Sequence, residues 1–286
     1  MKFSLIKSIK GHDEWINALY IDKDYLYSGS DDKSIKVWDK KTWNPVRVLN
    51  HEDEISQLSG DDKFIYSGTK EGKIYIWKKS TYEIEKIFEL NGYPSCSFSM
   101  DKIYFIAGVD VPKETTWDRI CKIWQKGNWI KPVFIINTKK SINTLVTDNS
   151  FLYIGTNDNF IQVFQKEKWE LKKELHGHSD RIFNLAVDEN YLFSTSSDGK
   201  IGVWNKQNLD IINKIGNSIG TTPRLAIDNN FIYAGSYDVE VWDKKKLNFV
   251  SNLEGHDDVI FDIKVDESYI YTVTRSNTIR IWKKNQ

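Results

Sequence analysis

Along most of the chain apolar and polar residues alternate with a period of two, interrupted roughly every 8–12 residues by clusters of Gly, Asn, Asp and Ser. That pattern predicts short β-strands joined by tight turns. No window sustains the 3.6-residue apolar period of a helix. One four-residue pattern, apolar-x-apolar-aromatic, recurs seven times: IKVW ending at Trp38, IYIW at Trp77, CKIW at Trp124, IQVF at Phe164, IGVW at Trp204, VEVW at Trp242 and IRIW at Trp282. The intervals are 39, 47, 40, 40, 38 and 40 residues, close to the period of a four-stranded propeller blade.

Two further patterns keep step with the first. An alternating segment closes on an acidic residue at Asp22, Asp61, Asp101, Asp148, Asp188, Asp228 and Asp266, and it is followed by β-branched and aromatic runs such as YLYSGS, FIYSGT and YIYTVT. Each unit therefore predicts strands a, b and c and an outer strand d such as WNPVRVL or WELKKEL. Only four residues follow Trp282, so the seventh unit lacks a strand d of its own, whereas FSLIKSIKGH at the N-terminus aligns with LNFVSNLEGH and WELKKELHGH. The expectation is an all-β chain: a seven-bladed β-propeller of four-stranded antiparallel blades, one domain over residues 1–286, with residues 3–10 completing the seventh blade. Closure by strand exchange hides sheet edges that would otherwise recruit other chains.

On these residues the chain resembles the WD-repeat family, whose pattern is a Gly-His turn, a Ser or Thr on strand b, an Asp in the b–c turn and a Trp ending strand c. Gly-His stands at Gly11-His12, Gly177-His178 and Gly255-His256, weakened to Asn50-His51 and Gly216-Asn217, and Trp-Asp stands at Trp38-Asp39 and Trp242-Asp243. The resemblance implies a hydrogen-bonded strut in units one and five, made of His12, Ser28, Asp32 and Trp38 and of His178, Ser194, Asp198 and Trp204. Units two and seven keep partial sets, His51, Ser67, Trp77 and His256, Thr272, Trp282. Unit four has Ile154, Asp158 and Phe164 but no His, so apolar packing must substitute. The family resemblance also implies partner binding on the narrow face, where the b–c and d–a connections gather.

Composition narrows the function. The 40 basic and 40 acidic residues balance, so no global field favours nucleic acid or an anionic membrane. MKFSLIKSIK lacks the apolar core of a secretory signal and no run approaches a membrane span; a soluble, cytoplasmic protein is expected, a monomer by default. Cys96 and Cys121 fall on strands a and c of one blade, about 9.6 Å apart across two strand spacings and beyond disulfide reach. They are expected to be small buried hydrophobes. Asp, His and Ser could also compose a hydrolytic triad, but Ser28 and Ser194 lie mid-strand, away from any cleft. His176, the histidine outside the repeat position, reads as a solvated turn residue. No metal, cofactor or catalytic motif is expected.

The function expected is a non-catalytic interaction scaffold for a protein or peptide, with a structural subunit of a larger complex as the alternative and an enzyme or RNA-binding propeller third. Two features mark the narrow face. The b–c connection of unit three, GVDVPKETTWDRI, carries extra residues and Trp117, an indole suited to anchoring a partner, with Tyr237 in the matching turn of unit six. Units seven, one and two place Asp257, Asp258, Asp13, Glu14, Asp31, Glu52, Asp53 and Glu54 on these connections beside Trp15, with Lys33, Lys70 and Arg275 as counter-charges. A basic segment would be drawn to such an arc.

Overall fold

Why strand a stops where it does is set by one carboxylate. Asp22 Oδ1 accepts the backbone N–H groups of Asp24 and Tyr25 at 3.1 and 2.8 Å, an Asx turn that mimics a backbone turn and reverses the chain. The same capture recurs at Asp61, Asp101, Asp148, Asp188, Asp228 and Asp266.

The structure, a computed structural model, describes residues 2–90, 93–216, 219–220 and 223–285, the side chains of residue 2 and of residues 93–96 apart. Strand β1 (Lys2–Lys10) precedes blade one, which is β2 (Ile16–Ile21), β3 (Tyr25–Ser30), β4 (Ser34–Asp39) and β5 (Pro45–Asn50). Blade two is β6 (Ile55–Gly60), β7 (Phe64–Thr69), β8 (Lys73–Lys78) and β9 (Ile84–Glu89). Blade three is β10 (Tyr93–Met100), β11 (Tyr104–Pro112), β12 (Trp117–Gln125) and β13 (Phe134–Asn137), and blade four β14 (Ile142–Thr147), β15 (Phe151–Thr156), β16 (Phe160–Gln165) and β17 (Glu170–His176). Blade five is β18 (Ile182–Val187), β19 (Tyr191–Ser196), β20 (Ile201–Asn205) and β21 (Ile211–Ile215). Blade six is β22 (Arg224–Ile227), β23 (Phe231–Gly235), β24 (Val239–Asp243) and β25 (Phe249–Leu253); β26 (Ile260–Val265), β27 (Tyr269–Thr274) and β28 (Thr278–Asn285) begin blade seven.

Each blade is a four-stranded sheet in the order a-b-c-d, and the seventh reads β1-β28-β27-β26. The N-terminal strand therefore supplies the missing strand d: Phe3 lies opposite Lys284 and Ile9 opposite Ile279, with a register shift between Leu5 and Lys7. All seven expected blades and their closure by the N-terminus are present. The insertion of unit three is not an irregular loop but a lengthened hairpin, in which β11 and β12 stay paired out to Pro112 opposite Trp117. The alternation VDVP against WDRI continues the period of two and sets Asp110 opposite Arg119.

The chain forms two compact units, residues 1–89 with 226–286, and residues 90–225. In the first, apolar side chains from successive blades share cores: Ile35, Val37 and Leu49 of blade one pack with Ile55, Leu58 and Trp77 of blade two, while Trp38, Ile16 and Leu19 pack with Tyr271, Ile279 and Ile281 of blade seven. Gly29 is required by this approach, because a Cβ there would lie 2.5 Å from Ile55 Cγ2. In the second unit Gly155 meets Ile182 in the same way, at 2.6 Å.

A polar girdle repeats at the opposite end of the blades. The residue two places after each terminal aromatic is lysine in all seven repeats: Lys40, Lys79, Lys126, Lys166, Lys206, Lys244 and Lys284. Lys40 bonds Asp266 at 2.7 Å, Lys79 Asp22 at 2.8 Å, Lys206 Asp148 at 2.7 Å, Lys166 Asp101 and Lys284 Asp228. Each of these lysines thus reaches the turn carboxylate of the preceding blade. Tyr27, Tyr66, Tyr153, Tyr233 and Tyr271 donate their hydroxyls to the turn aspartate of their own blade at 2.8–3.2 Å. Burial alone would raise the Asp22 carboxyl; bonds from Lys79, the Tyr25 N–H and Tyr27 outweigh it and hold the group below its ordinary value.

The c–d turns carry bulky residues in the left-handed region: Trp43, Tyr82, Trp169, Leu209 and Leu247 have φ between 54° and 60°. Such residues rarely adopt it. Aromatic packing compensates, since Trp43 meets Tyr269 at 5.4 Å and Trp169 meets Tyr104 at 5.2 Å.

Candidate functional site

The two full constellations of polar residues come first, because their chemistry has to be assigned. His12 Nδ1 lies 2.7 Å from Asp32 Oδ2 and its Nε2 2.7 Å from Ser28 Oγ, and the Trp38 indole N–H donates to the same hydroxyl at 2.8 Å. In blade five His178 stands 2.9 Å from Asp198 and 2.8 Å from Ser194, with Trp204 2.8 Å from Ser194. Ser28 and Ser194 are fully buried, and each hydroxyl is enclosed between imidazole and indole. Neither can meet a substrate. Burial lowers both imidazole pKa values, and the partner aspartates oppose the shift.

Blades two and seven repeat the motif without its carboxylate. His51 Nε2 bonds Ser67 at 2.8 Å and His256 Nε2 bonds Thr272 at 2.9 Å, yet both Nδ1 atoms are buried and unpaired. The carboxylate beside His256, that of Asp238, is 3.9 Å away. Blade four has no such polar set: Ile154 and Phe164 sit in an apolar cluster with Leu145, Ile142 and Trp169. Asp158 there pairs outward with Lys140 at 2.7 Å.

The candidate partner-binding residues of blades six, seven, one and two lie in the first unit, on the d–a and b–c connections. Blades seven and one meet directly at this end: Asn277 donates to the backbone carbonyls of His12 and Asp13 at 3.2 and 3.4 Å, and the Arg275 guanidinium lies 4.1 Å from the centre of the Trp15 ring. Trp15 is 38% exposed and packs edge-on against Phe261 at 6.2 Å. Its indole already carries a cation on one face.

Part of the acidic arc is internally neutralised. Lys70 bridges Asp31 at 2.9 Å and Glu54 at 2.6 Å, and Asn17 adds a bond to Asp31 at 2.5 Å. Asp257 bonds Arg280 at 3.0 Å, Thr274 at 3.0 Å and Ser276 at 2.8 Å. Burial opposes ionisation of Asp257, but these bonds hold its carboxyl far below the usual range. Asp53 accepts the N–H groups of Glu54 and Glu71 at 2.7 and 2.8 Å. Among the described residues no lysine or arginine pairs with Asp13, Glu14 or Asp258. Those three supply the unneutralised charge.

Trp117 belongs to the second unit. It is 47% exposed at the tip of the β11–β12 hairpin, beside the turn in which Lys113 N–H donates to the Thr116 carbonyl at 2.9 Å. Tyr237, in the short β23–β24 turn, is 65% exposed. Cys121 is fully buried in an apolar setting that pushes its thiol pKa up, while the side chain of Cys96 lies outside the described residues. The His176 side chain is exposed, 3.9 Å from Glu174.

Comparison with known proteins adds to this geometry. The family described as WD domain, G-beta repeat, matches residues 3–39, 43–78, 169–205 and 247–283, together just over half of the chain. The chain belongs to the WD40 repeat family. Each matched WD40 stretch begins in or just before the strand d that precedes a blade and ends one residue past its terminal tryptophan, and the four stretches take in His12, His51, His178 and His256. Two curated relatives match over a shorter segment. Nuclear distribution protein PAC1 of Lachancea thermotolerans is 42% identical over 48 residues, 17% of this chain and 10% of that protein. Its Candida glabrata counterpart is 40% identical over 45 residues, 16% of this chain and 10% of that protein. The chain thus spans about a tenth of the length of these relatives. Among solved structures, the crystal structure of the computationally designed Ika8 protein superposes with a TM-score of 0.77 over 98% of this chain and 100% of that one, at 19% identity. That likeness concerns the fold alone.

The repeat pattern by itself missed the lysine girdle. Its signal was present in the sequence, since aligning the seven units on their aromatics puts a lysine two places on in every one. The neutralising role of Arg280 had no such signal, because it depends on side chains of different strands meeting; Lys70 stands among the counter-charges expected on these connections, and what the structure adds is its bridge to Asp31 and Glu54.

Proposed function

We propose that this WD40 chain is a non-catalytic scaffold that receives a Lys/Arg-rich protein segment at the d–a and b–c end of blades seven, one and two. The observation that carries the reading is the set of Asp13, Glu14 and Asp258 on these connections, which among the described residues have no basic partner, together with the half-exposed Trp15. Exposed ion pairs contribute only about 0–1 kcal/mol each. The charge would speed and orient docking, and affinity would come from burial of Trp15 or Tyr237. The family supports an interaction role, and the enclosed serines of both struts remove the hydrolytic alternative at those positions.

The test is a triple variant, Asp13→Lys, Glu14→Lys and Asp258→Lys, with Asp257 left intact because Arg280 depends on it. Affinity capture with mass spectrometry should lose the principal partners, while Tm stays unchanged. Capture by the unmodified chain should weaken as salt rises. Retention of the same partners at the same strength would remove this face from the proposal.

A further inference from the structure

Strand d is the edge of every blade, and an edge presents unpaired N–H and C=O groups that can recruit another chain. Six of the seven edges carry polar or charged interruptions: Arg47 and Pro45 on β5, Glu85, Lys86 and Glu89 on β9, Glu170, Lys172, Lys173 and Glu174 on β17, Lys214 on β21, Ser251 and Asn252 on β25, and lysines along β1. The exception is β13, Phe-Ile-Ile-Asn, whose polar residue stands only at its end, so that three apolar residues run without interruption. Ile136 turns into the core, while Phe134 and Ile135 remain exposed, Ile135 at 58%. Ile130, in the connection leading to this strand, is 90% exposed.

Main-chain geometry leaves the edge open. Thr138 N–H donates to the Arg119 carbonyl at 2.8 Å, and Cys121 lies opposite Ile136. By the alternation of an antiparallel ladder, the N–H and C=O groups of Ile135 and Asn137 then point away from β12. β13 ends its sheet.

Charge selects the occupant. From Arg119 to Thr147 the sequence contains six basic residues and no acidic one, in a chain whose 40 basic and 40 acidic residues balance overall. Lys131 and Lys139 flank β13 and are exposed. A second copy pairing edge to edge would bring these lysines against each other.

We propose that β13 is a docking edge for an extended segment of another protein in which apolar and acidic residues alternate, added as a fifth strand to blade three. Main-chain bonds to Ile135 and Asn137 would hold it, its apolar side chains would cover Phe134 or Ile135, and its carboxylates would meet Lys131 and Lys139. This site is separate from the acidic face.

The probe is a short labelled peptide alternating glutamate and valine, followed by fluorescence anisotropy with the full chain. Saturable, salt-sensitive binding is expected, lost when glutamate is replaced by lysine or when alternate peptide nitrogens are methylated. Ile135→Lys should weaken binding about tenfold or more at unchanged Tm. Should that variant fold poorly, Lys131→Glu with Lys139→Glu alters only exposed side chains and should weaken binding to a similar degree. Absence of saturable binding, equal affinity of the lysine peptide, equal affinity of the folded variants, or self-association of the chain abolished by Ile135→Lys would each overturn the proposal. The triple variant of the acidic face should bind the peptide as the unmodified chain does, so the two sites fail independently.

Discussion

Blades one and two have the same histidine in the same place, with different consequences. In blade one the His12 ring is bonded at both nitrogens, to Asp32 and Ser28. In blade two the His51 ring bonds Ser67 alone, and packs against Tyr75 and Trp77 at 4.6 and 4.9 Å. The residue four places after the strand-b hydroxyl decides this: Asp32 in blade one, Glu71 in blade two. One methylene turns a satisfied buried imidazole into one with an orphaned nitrogen. Blades five and seven repeat the contrast, with Asp198 against Ser276. A conserved-looking residue type therefore does not carry a fixed stability contribution; its second partner sets the sign.

Acid should break the comparison most strongly. Burial lowers the His51 and His256 pKa values from 6.5 to about 4. These rings stay neutral in the fold while unfolded histidine takes up a proton near its ordinary value, so stability is fully present above about 6.5 and is lost as pH falls towards 4. The loss is on the order of 1–3 kcal/mol for each ring. In blades one and five burial acts in the same direction, but Asp32 and Asp198 oppose it. The turn aspartates act in a different window: Asp22, Asp148, Asp228 and Asp266 are held below their ordinary value, so their contribution disappears only below about 4. Urea denaturation at pH 7 and pH 4.5 (about the lower end of the acid window) should show the drop in the native chain and a smaller one in a His51→Leu, His256→Leu variant. An identical drop in both would assign it to other groups.

A smaller effect separates the blades by mutation at neutral pH. His178→Ala leaves Asp198 and Ser194 underpaired and should cost roughly 1–3 kcal/mol. His51→Ala loses packing but also removes an orphaned polar atom, so its cost should be lower. His176→Ala, on an exposed ring, should be near neutral. Equilibrium denaturation of the three variants ranks them, and equal costs for His178 and His51 would mean that the Asp198 carboxylate contributes nothing.

The fold was legible because each blade repeats three signals in one register: the Asx-turn aspartate, the β-branched and aromatic strand b, and the aromatic that ends strand c. Even the closing strand was legible, since KFSLIKSIK aligns with the other outer strands. The candidate site was legible only as a set of exposed charges. Which of them remain available depends on Lys70 reaching two blades and on Arg280 reaching across a hairpin, and neither reach is encoded in spacing along the chain. The same holds for Trp15, which sequence marks as an aromatic anchor and the fold covers on one face with Arg275. The hairpin of blade three was visible as added length, but its continued pairing became evident only from the opposition of Asp110 and Arg119.

The finest test of the comparison is to convert one kind of blade into the other. Glu71 is exposed, its backbone N–H is held by Asp53 at 2.8 Å, and Ser67 already bonds both His51 and Trp77, at 2.8 and 3.0 Å. Asp32 occupies the equivalent place in blade one, where its carboxylate accepts from the His12 ring and from the N–H groups of Asp13 and Ser34. Glu71→Asp should therefore let a shorter carboxylate turn inward to His51 Nδ1 and satisfy the orphan, with a gain of about 1 kcal/mol at neutral pH. The carboxylate would also favour the protonated ring, so the His51 pKa should rise and the acid loss assigned to blade two should shrink. Denaturation at both pH values, with the His51 ring followed by NMR titration, separates the two effects. A variant with unchanged stability and an unchanged His51 titration would show that the backbone of blade two, and not the extra methylene, keeps the carboxylate away.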